Sequence, residues 1–257
     1  MTTTQIPTRI VLLGATGEVG RRALVAALES PSVSAVYSFG RSPPKVETGV
    51  SVEKLHHVAV NFDALLEEKG IGPETEKFKT AQGDSIVIAL GTTKKNAGSA
   101  ERWEKIDKEY VLAAAKAAKS ESKVQRMVYV SSTGASSSSP FLYPRGKGQT
   151  EEGLASLGYS ETFIFRPGYL AIPGGRNESR PLESAFGTVT NFFSSFTNTL
   201  QIPTPILGKA LVNAATQPVD SVKVPAFGQA SALTGHPVWA IGNAGALALG
   251  EGKSPKL

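Results

Sequence analysis

Tyr143 and Lys147 stand four positions apart, in the run Tyr143-Pro144-Arg145-Gly146-Lys147. On a helix that spacing puts both side chains on one face. An ammonium beside a phenol favours the phenol's ionised form, so the tyrosine becomes able to exchange a proton with a carbonyl oxygen. Ser131-Ser132-Thr133 offers hydroxyls that could orient such a carbonyl. The local sequence works against a firm helix here. Pro144 disfavours helix at Tyr143, and Gly146 and Gly148 weaken the turn around Lys147, so the pair is expected to be held by the fold. His56, His57 and His236 show no metal-ligand spacing, and the adjacent pair would face opposite sides of a strand, so no metal site is expected.

The elements that must position these residues follow from hydrophobic pattern. Arg9–Leu13 is a short apolar run that stops at Gly14. The next segment, Glu18–Glu29, places Val19, Ala23, Leu24, Ala27 and Leu28 on one helical face. Ser34–Gly40, His57–Asn61, Ser85–Gly91, Met127–Ser132 and Thr162–Gly168 read as further strands. The fully apolar run at Ile86–Leu90 suits a parallel strand buried on both faces. A long helix capped by Ser99 carries Trp103, Ile106, Tyr110, Val111, Ala114 and Ala118. Strands alternating with helices mean right-handed βαβ units. The expected fold is α/β, a Rossmann-type doubly wound parallel sheet with helices on both faces and a small C-terminal substrate or lid region. One domain over residues 1–257 is expected, with 176–257 as the C-terminal subregion.

The turn between the first strand and first helix is Gly14-Ala15-Thr16-Gly17-Glu18-Val19-Gly20. Glycines between a strand and a helix let the backbone approach a pyrophosphate, and the helix N-terminus presents N–H groups and positive dipole. The second strand ends in Phe39-Gly40-Arg41. An acidic residue there would bind a ribose 2′-hydroxyl, whereas an arginine suits the 2′-phosphate of NADP(H). Asn61-Phe62 falls where the adenine edge would lie, and Gly91-Thr92-Thr93 would pass under the nicotinamide-side ribose. With hydride arriving at a carbonyl carbon, the Tyr143 hydroxyl would supply the proton to its oxygen.

Composition bounds the alternatives. The 257 residues are 40% hydrophobic and 19% charged, a globular balance able to fill a core. Cysteine is absent, which removes thiolate nucleophiles and cysteine-bound metals. The net charge of +5 suits an anionic cofactor or an anionic membrane surface, but basic residues form no stripe, so no nucleic-acid partner is expected. No segment is apolar enough to span a bilayer. Met1–Arg9 matches neither a signal peptide nor an Arg-rich transit peptide. Ser184–Gly208 carries no charge, and Phe186, Val189, Phe192, Phe193, Phe196 and Leu200 form an apolar stripe. Interfacial helices usually carry Lys or Arg on the polar face, so a core or pocket wall is favoured over a membrane-surface helix.

Taken together, these segments resemble the short-chain dehydrogenase/reductase superfamily. They are most similar to the atypical branch that holds the mammalian Tat-interactive tumour-suppressor oxidoreductase and fungal relatives on the mitochondrial outer membrane. The resembling stretches are Gly14–Gly20, Gly40-Arg41, Leu90–Thr93 with Ala97-Gly98, Asp107–Lys119, Phe141–Tyr143 with Lys147-Gly148, Phe165–Gly168 and Arg176–Pro181. The resemblance implies that Gly14, Thr16, Gly17, Glu18 and Val19 cradle the pyrophosphate and that Arg41 takes the 2′-phosphate. It implies that Leu90 and Gly91 line the cofactor, that Pro167 to Leu170 flank the nicotinamide, and that Lys147 and Ser132 assist Tyr143. Asn61 departs from the family's usual Asp beside adenine and can still hydrogen-bond there. The expectation is an NADPH-dependent reductase acting on a carbonyl of a small or lipid-like substrate, peripheral to the mitochondrial outer membrane. The alternatives are a catalytically vestigial NADP(H)-sensing adaptor and a cytoplasmic location.

Overall fold

Strand β1, Thr8–Leu13, runs up the middle of an eight-stranded sheet and leads through the glycine turn into α1, Glu18–Glu29. In the computed structural model the described residues are 7–173 and 201–252. The Arg176–Pro181 stretch and the Phe186–Leu200 stripe lie outside them. From α1 the chain returns through β2, Val33–Gly40, and β3, Leu55–Ala59. Helices α2, Phe62–Glu67, and α3, Pro73–Ala81, carry it back to β4, Ser85–Ile88. A short α4, Lys94–Ala97, precedes a helical stretch in three parts: α5 Ala100–Glu104, a π turn Lys105–Glu109, and α6 Tyr110–Ala118. Then come β5 Arg126–Val130, α7 Leu142–Ser156, β6 Glu161–Arg166 and β7 Tyr169–Ala171. After residue 200 come β8 Gln201–Pro203, α8 Thr204–Thr216, α9 Val219–Val222, β9 Gln229–Leu233, β10 His236–Gly242 and α10 Asn243–Gly250.

The sheet order is β3-β2-β1-β4-β5-β6-β10-β9. Every pairing in it is parallel except β9 on β10. The order of travel reverses between β1 and β4. Their C-terminal ends therefore open a crevice where α/β sheets bind ligands. The parallel strands are buried on both faces, and alternation sorts their side chains. Ile10, Leu12, Val87, Val128 and Phe165 join one core cluster with Leu24 of α1 and Leu207 and Leu211 of α8. Val11, Leu13, Ile86, Ile88, Met127 and Tyr129 join the other with Phe78 of α3, Val111 of α6 and Leu154 of α7.

Residues 201–252 complete this body. Strand β10 pairs with β6 and extends the same sheet. Helix α8 lies against α1 so closely that a Cβ on Gly208 would meet the Arg22 carbonyl carbon at 2.6 Å. The Ala214 carbonyl in its last turn and the Gln217 carbonyl just after it accept from the Arg126 guanidinium. Among the described residues no helix is long and apolar enough to cross a membrane.

Candidate active site

The glycine turn is dictated by contact as much as by conformation. Gly14 has φ +87°, and a Cβ there would lie 2.5 Å from the Ala89 carbonyl oxygen and 2.6 Å from the Leu90 nitrogen. Only glycine lets the end of β1 touch the end of β4 there. A Cβ on Gly20 would lie 2.0 Å from the Gly14 oxygen, so α1 presses directly on the turn. The Gly17 N–H donates to the Gly14 carbonyl at 2.9 Å, and Gly17 caps α1 with no side-chain hydrogen bond. The first amides of this 12-residue helix are left for a group in the crevice, as an anion requires. Ala15 and Val19 are buried supports of the turn, Thr16 is exposed, and Glu18 pairs with Arg21 at 2.8 Å.

Arg41 follows β2 directly, is exposed, and forms no ion pair with another described residue. Asn61 caps α2: its Oδ1 accepts from the amides of Asp63 at 3.1 Å and Ala64 at 3.2 Å. Phe62 is buried and stacks on Tyr110 at 5.2 Å. These two residues therefore build the start of α2.

Tyr143 and Lys147 lie in a continuous helix. Pro144 falls in the first turn of α7, where its missing N–H costs no hydrogen bond. The two glycines are close-approach positions. A Cβ on Gly146 would lie 2.6 Å from the Trp103 ring, and one on Gly148 would lie 2.2 Å from the Ser137 nitrogen. Loss of helix propensity is the cost of bringing α7 against Trp103 and against the serine loop after β5. The Tyr143 ring packs on Trp103, centroids 5.6 Å apart. Lys147 is buried; its Nζ lies 3.3 Å from Asp107 Oδ1 and 3.2 Å from the Tyr129 hydroxyl. Burial works against the Lys147 charge, but Tyr129 and Asp107 outweigh it and hold the ammonium above the ordinary lysine range. Burial pushes the Asp107 carboxyl upward, opposed by Lys147 and by the Thr92 amide. Burial likewise pushes the Tyr129 phenol upward.

Ser131 and Ser132 both keep solvent-shielded hydroxyl oxygens with no hydrogen-bond partner among the described residues. Buried hydroxyls are nearly always paired, so two orphans side by side point to a missing group. The loop they open is tied to the end of β6: the Thr133 N–H donates to the Pro167 carbonyl at 2.9 Å. Gly168 is held by Asn243 Oδ1 at 2.9 Å, and Leu170 lies in β7, paired with Ile202 of β8. On the other side, a Cβ on Gly91 would lie 2.9 Å from Asp107 Oδ1 and 3.6 Å from Lys147 Nζ. The loop after β4 thus passes directly over the lysine.

Asp107, Trp103 and Tyr129 are the site residues that sequence patterning placed only as helix or strand positions. One signal was available. Trp103, Asp107, Tyr110 and Ala114 share a helix face, and a carboxylate on a buried face demands a cation.

No family model matches the chain. A protein named fmp52, mitochondrial, from Emericella nidulans is 33% identical over 227 residues, covering 84% of this chain and 91% of that protein. One of the same name from Candida albicans is 37% identical over 184 residues, covering 70% and 75%. Among solved structures, a nucleoside-diphosphate-sugar epimerase from Agrobacterium tumefaciens superposes with TM-score 0.61 at 16% identity, covering 87% of this chain and 73% of that one. The enzyme WbmH of Bordetella bronchiseptica, in complex with NAD+, gives 0.57 at 17% identity, covering 82% and 73%. Such distant structures speak for the fold, and it is the one that the strand order and the glycine turn describe. With a third of its residues shared across most of both chains, the protein belongs to the FMP52 family.

Proposed function

We propose that the protein is an NADPH-dependent reductase of a carbonyl in a small or lipid-like substrate. The observation that carries this reading is the meeting of the Gly91 loop with Lys147, one helical turn from Tyr143, at the C-terminal edge of β4, with two serine hydroxyls that have no partner among the described residues at the end of β5. The residues fit the dinucleotide: the glycine turn leaves no room for a Cβ, and the α1 amides lack a side-chain cap. Gly14–Gly20 would hold the pyrophosphate, Arg41 the 2′-phosphate, Asn61 and Phe62 the adenine end, and Leu90, Gly91, Pro167 and Leu170 the nicotinamide end. NADPH, when bound, supplies hydride to the carbonyl carbon. Ser132 Oγ donates a hydrogen bond to the carbonyl oxygen and orients it. The Tyr143 hydroxyl delivers the proton to that oxygen as the alkoxide forms, and the neighbouring Lys147 ammonium stabilises the phenolate left behind.

The test is oxidation of NADPH with a panel of aldehydes, ketones and quinones. Tyr143→Phe should lower kcat about 10²- to 10⁴-fold, the usual worth of a positioned proton donor. Full activity in that variant, or no turnover of any carbonyl, refutes the reading. The alternative, a catalytically vestigial NADP(H)-sensing adaptor, rests on the weak helix expected at Lys147 and on a C-terminal stretch without an assigned role; the unbroken α7 and the packing of Gly146 remove the first of these supports. From the names of the relatives we infer a mitochondrial location; a peripheral place at the outer membrane is what the family resemblance implies. Carbonate extraction should release the protein from mitochondria, and recovery in the cytosol alone would overturn that inference.

A further inference from the structure

Trp103 and Asp107 are spaced as Tyr143 and Lys147 are, and the two pairs meet in register. Trp103 packs on Tyr143, and Asp107 pairs with Lys147. The same two residues grip one backbone unit of the loop after β4. Trp103 Nε1 donates to the Thr92 carbonyl at 3.1 Å, and Asp107 Oδ2 accepts the Thr92 N–H at 2.7 Å. Trp103, Asp107 and Lys147 are 1%, 2% and 5% exposed, so solvent cannot replace these contacts. Asp107 stands inside the π turn, a widened turn that often marks functional sites. Its own carbonyl accepts from Thr150 Oγ1 of α7 at 3.3 Å.

We propose that Trp103 and Asp107 are positioning residues that clamp the Thr92 loop to the Tyr143–Lys147 face, and that Asp107 is the counter-ion that keeps the buried Lys147 charged. The first half rests on the reductase reading of the site for its consequence; the second does not. The groups facing Lys147 are Asp107 from the π turn, Tyr129 from β5 and Tyr143 from its own helix. Tyr129 and Tyr143 are phenols, and burial pushes the Tyr129 phenol upward, whereas Asp107 is the carboxylate in contact with the ammonium. The negative charge comes from Asp107. An ammonium buried without a counter-ion gives up its proton.

The first measurement is a pH titration of the protein with ¹³C-labelled lysine, the Lys147 Cε signal being identified by its loss in Lys147→Arg. In the wild type that signal should stay unmoved to about pH 11. In Asp107→Asn its midpoint should fall by about two pH units or more. An unchanged titration overturns the counter-ion. If Asp107→Asn does not fold, the double variant Asp107→Leu with Lys147→Met should fold, because it leaves no unpaired charge; failure of both overturns it equally. The clamp is read first by exchange of the Thr92 amide, whose protection should drop about tenfold or more in Asp107→Asn. It is read again by kinetics. Trp103→Phe, which keeps a ring and loses the N–H, should lower kcat about ten- to a hundredfold while NADPH affinity stays within about threefold. Unchanged Thr92 protection, or a loss of activity explained by NADPH affinity or by the unfolded fraction alone, overturns the clamp. Absence of any carbonyl turnover in the wild type would remove the reductase reading, while the lysine titration and the Thr92 exchange would still decide this one.

Discussion

Single atoms decide the glycine turn and helix α7. A methyl group at Gly146 has no room: the Trp103 ring would stand 2.6 Å away, and that ring is itself 1% exposed. Gly146→Ala should therefore destabilise the protein by about 1–3 kcal/mol, the usual cost of overpacking. It should also lower kcat, because it pushes Tyr143 off its support. Thermal melts beside kinetics separate the two effects. Arg41 is the opposite case, an exposed side chain with no ion-pair partner among the described residues. A hydrogen bond to a charged phosphate contributes about 1.5–3 kcal/mol. Arg41→Ala should then weaken NADPH about ten- to a hundredfold and NADH by no more than about threefold. Fluorescence titration of both cofactors checks this, and an equal loss for each would remove Arg41 from the 2′-phosphate.

At the level of elements, the stretch from Ala100 to Ala118 reads in sequence as one helix, and the chain does run through it without a break. The π turn at Lys105–Glu109 changes its phase, so that Asp107 and Tyr110 face different partners. Tyr110 donates to Asp63 Oδ1 at 2.7 Å, and Lys105 Nζ lies 2.6 Å from the same oxygen, which ties α2 to this helix. The hydrogen bond from Lys105, then that from Tyr110, hold the Asp63 carboxyl below its ordinary range. A depressed carboxylate stabilises the fold at pH above its unfolded pKa, and that contribution is lost as the pH falls through the folded value. Asp63→Asn should lower stability at neutral pH, and the gap to the wild type should close as the pH falls below about 4, which flattens the acid limb of the stability curve. Urea melts across that range make the comparison, and a parallel shift at every pH would show that the charge is not what matters.

On the scale of the whole molecule, residues 201–252 hold the β1–α1 half of the sheet in shape from behind. Helix α8 crosses α1 at Gly208. The Ser85 hydroxyl reaches the Ala215 carbonyl at 2.7 Å, and Phe227 and Leu249 complete the core over β10. Gly208→Val would force α8 away from α1, whose N-terminus faces the crevice. A loss of about 1–3 kcal/mol is expected, with weaker NADPH binding as its companion. In the wild type, NADPH at about 100 times its Kd should raise stability by about 2.7 kcal/mol. If Gly208→Val loses stability but keeps that full increment, α8 supports the fold without setting the site.

Much of this was legible in the residues alone. The apolar run Ile10–Leu13 that stops at Gly14 and the helical stripe of Glu18–Glu29 made the first βα unit plain, and the bounds of α1 agree residue for residue. Alternation and helical phase are local properties, set by backbone geometry, so they survive in a linear string. The glycine turn was legible for the same reason, since a strand before it and a helix after it are neighbours in sequence. Strand β10 was not. It follows β9 through a tight turn and is a strand only because the exposed edge of β6 accepts it. Helix α7 was misjudged in strength: Pro144 and the two glycines read as weakness, while in space the glycines are what lets α7 touch Trp103 and the serine loop. Asp107 belongs to the same class. Its type and phase announced a buried charge, and only the tertiary structure could say that the cation answering it lies forty residues away on another helix.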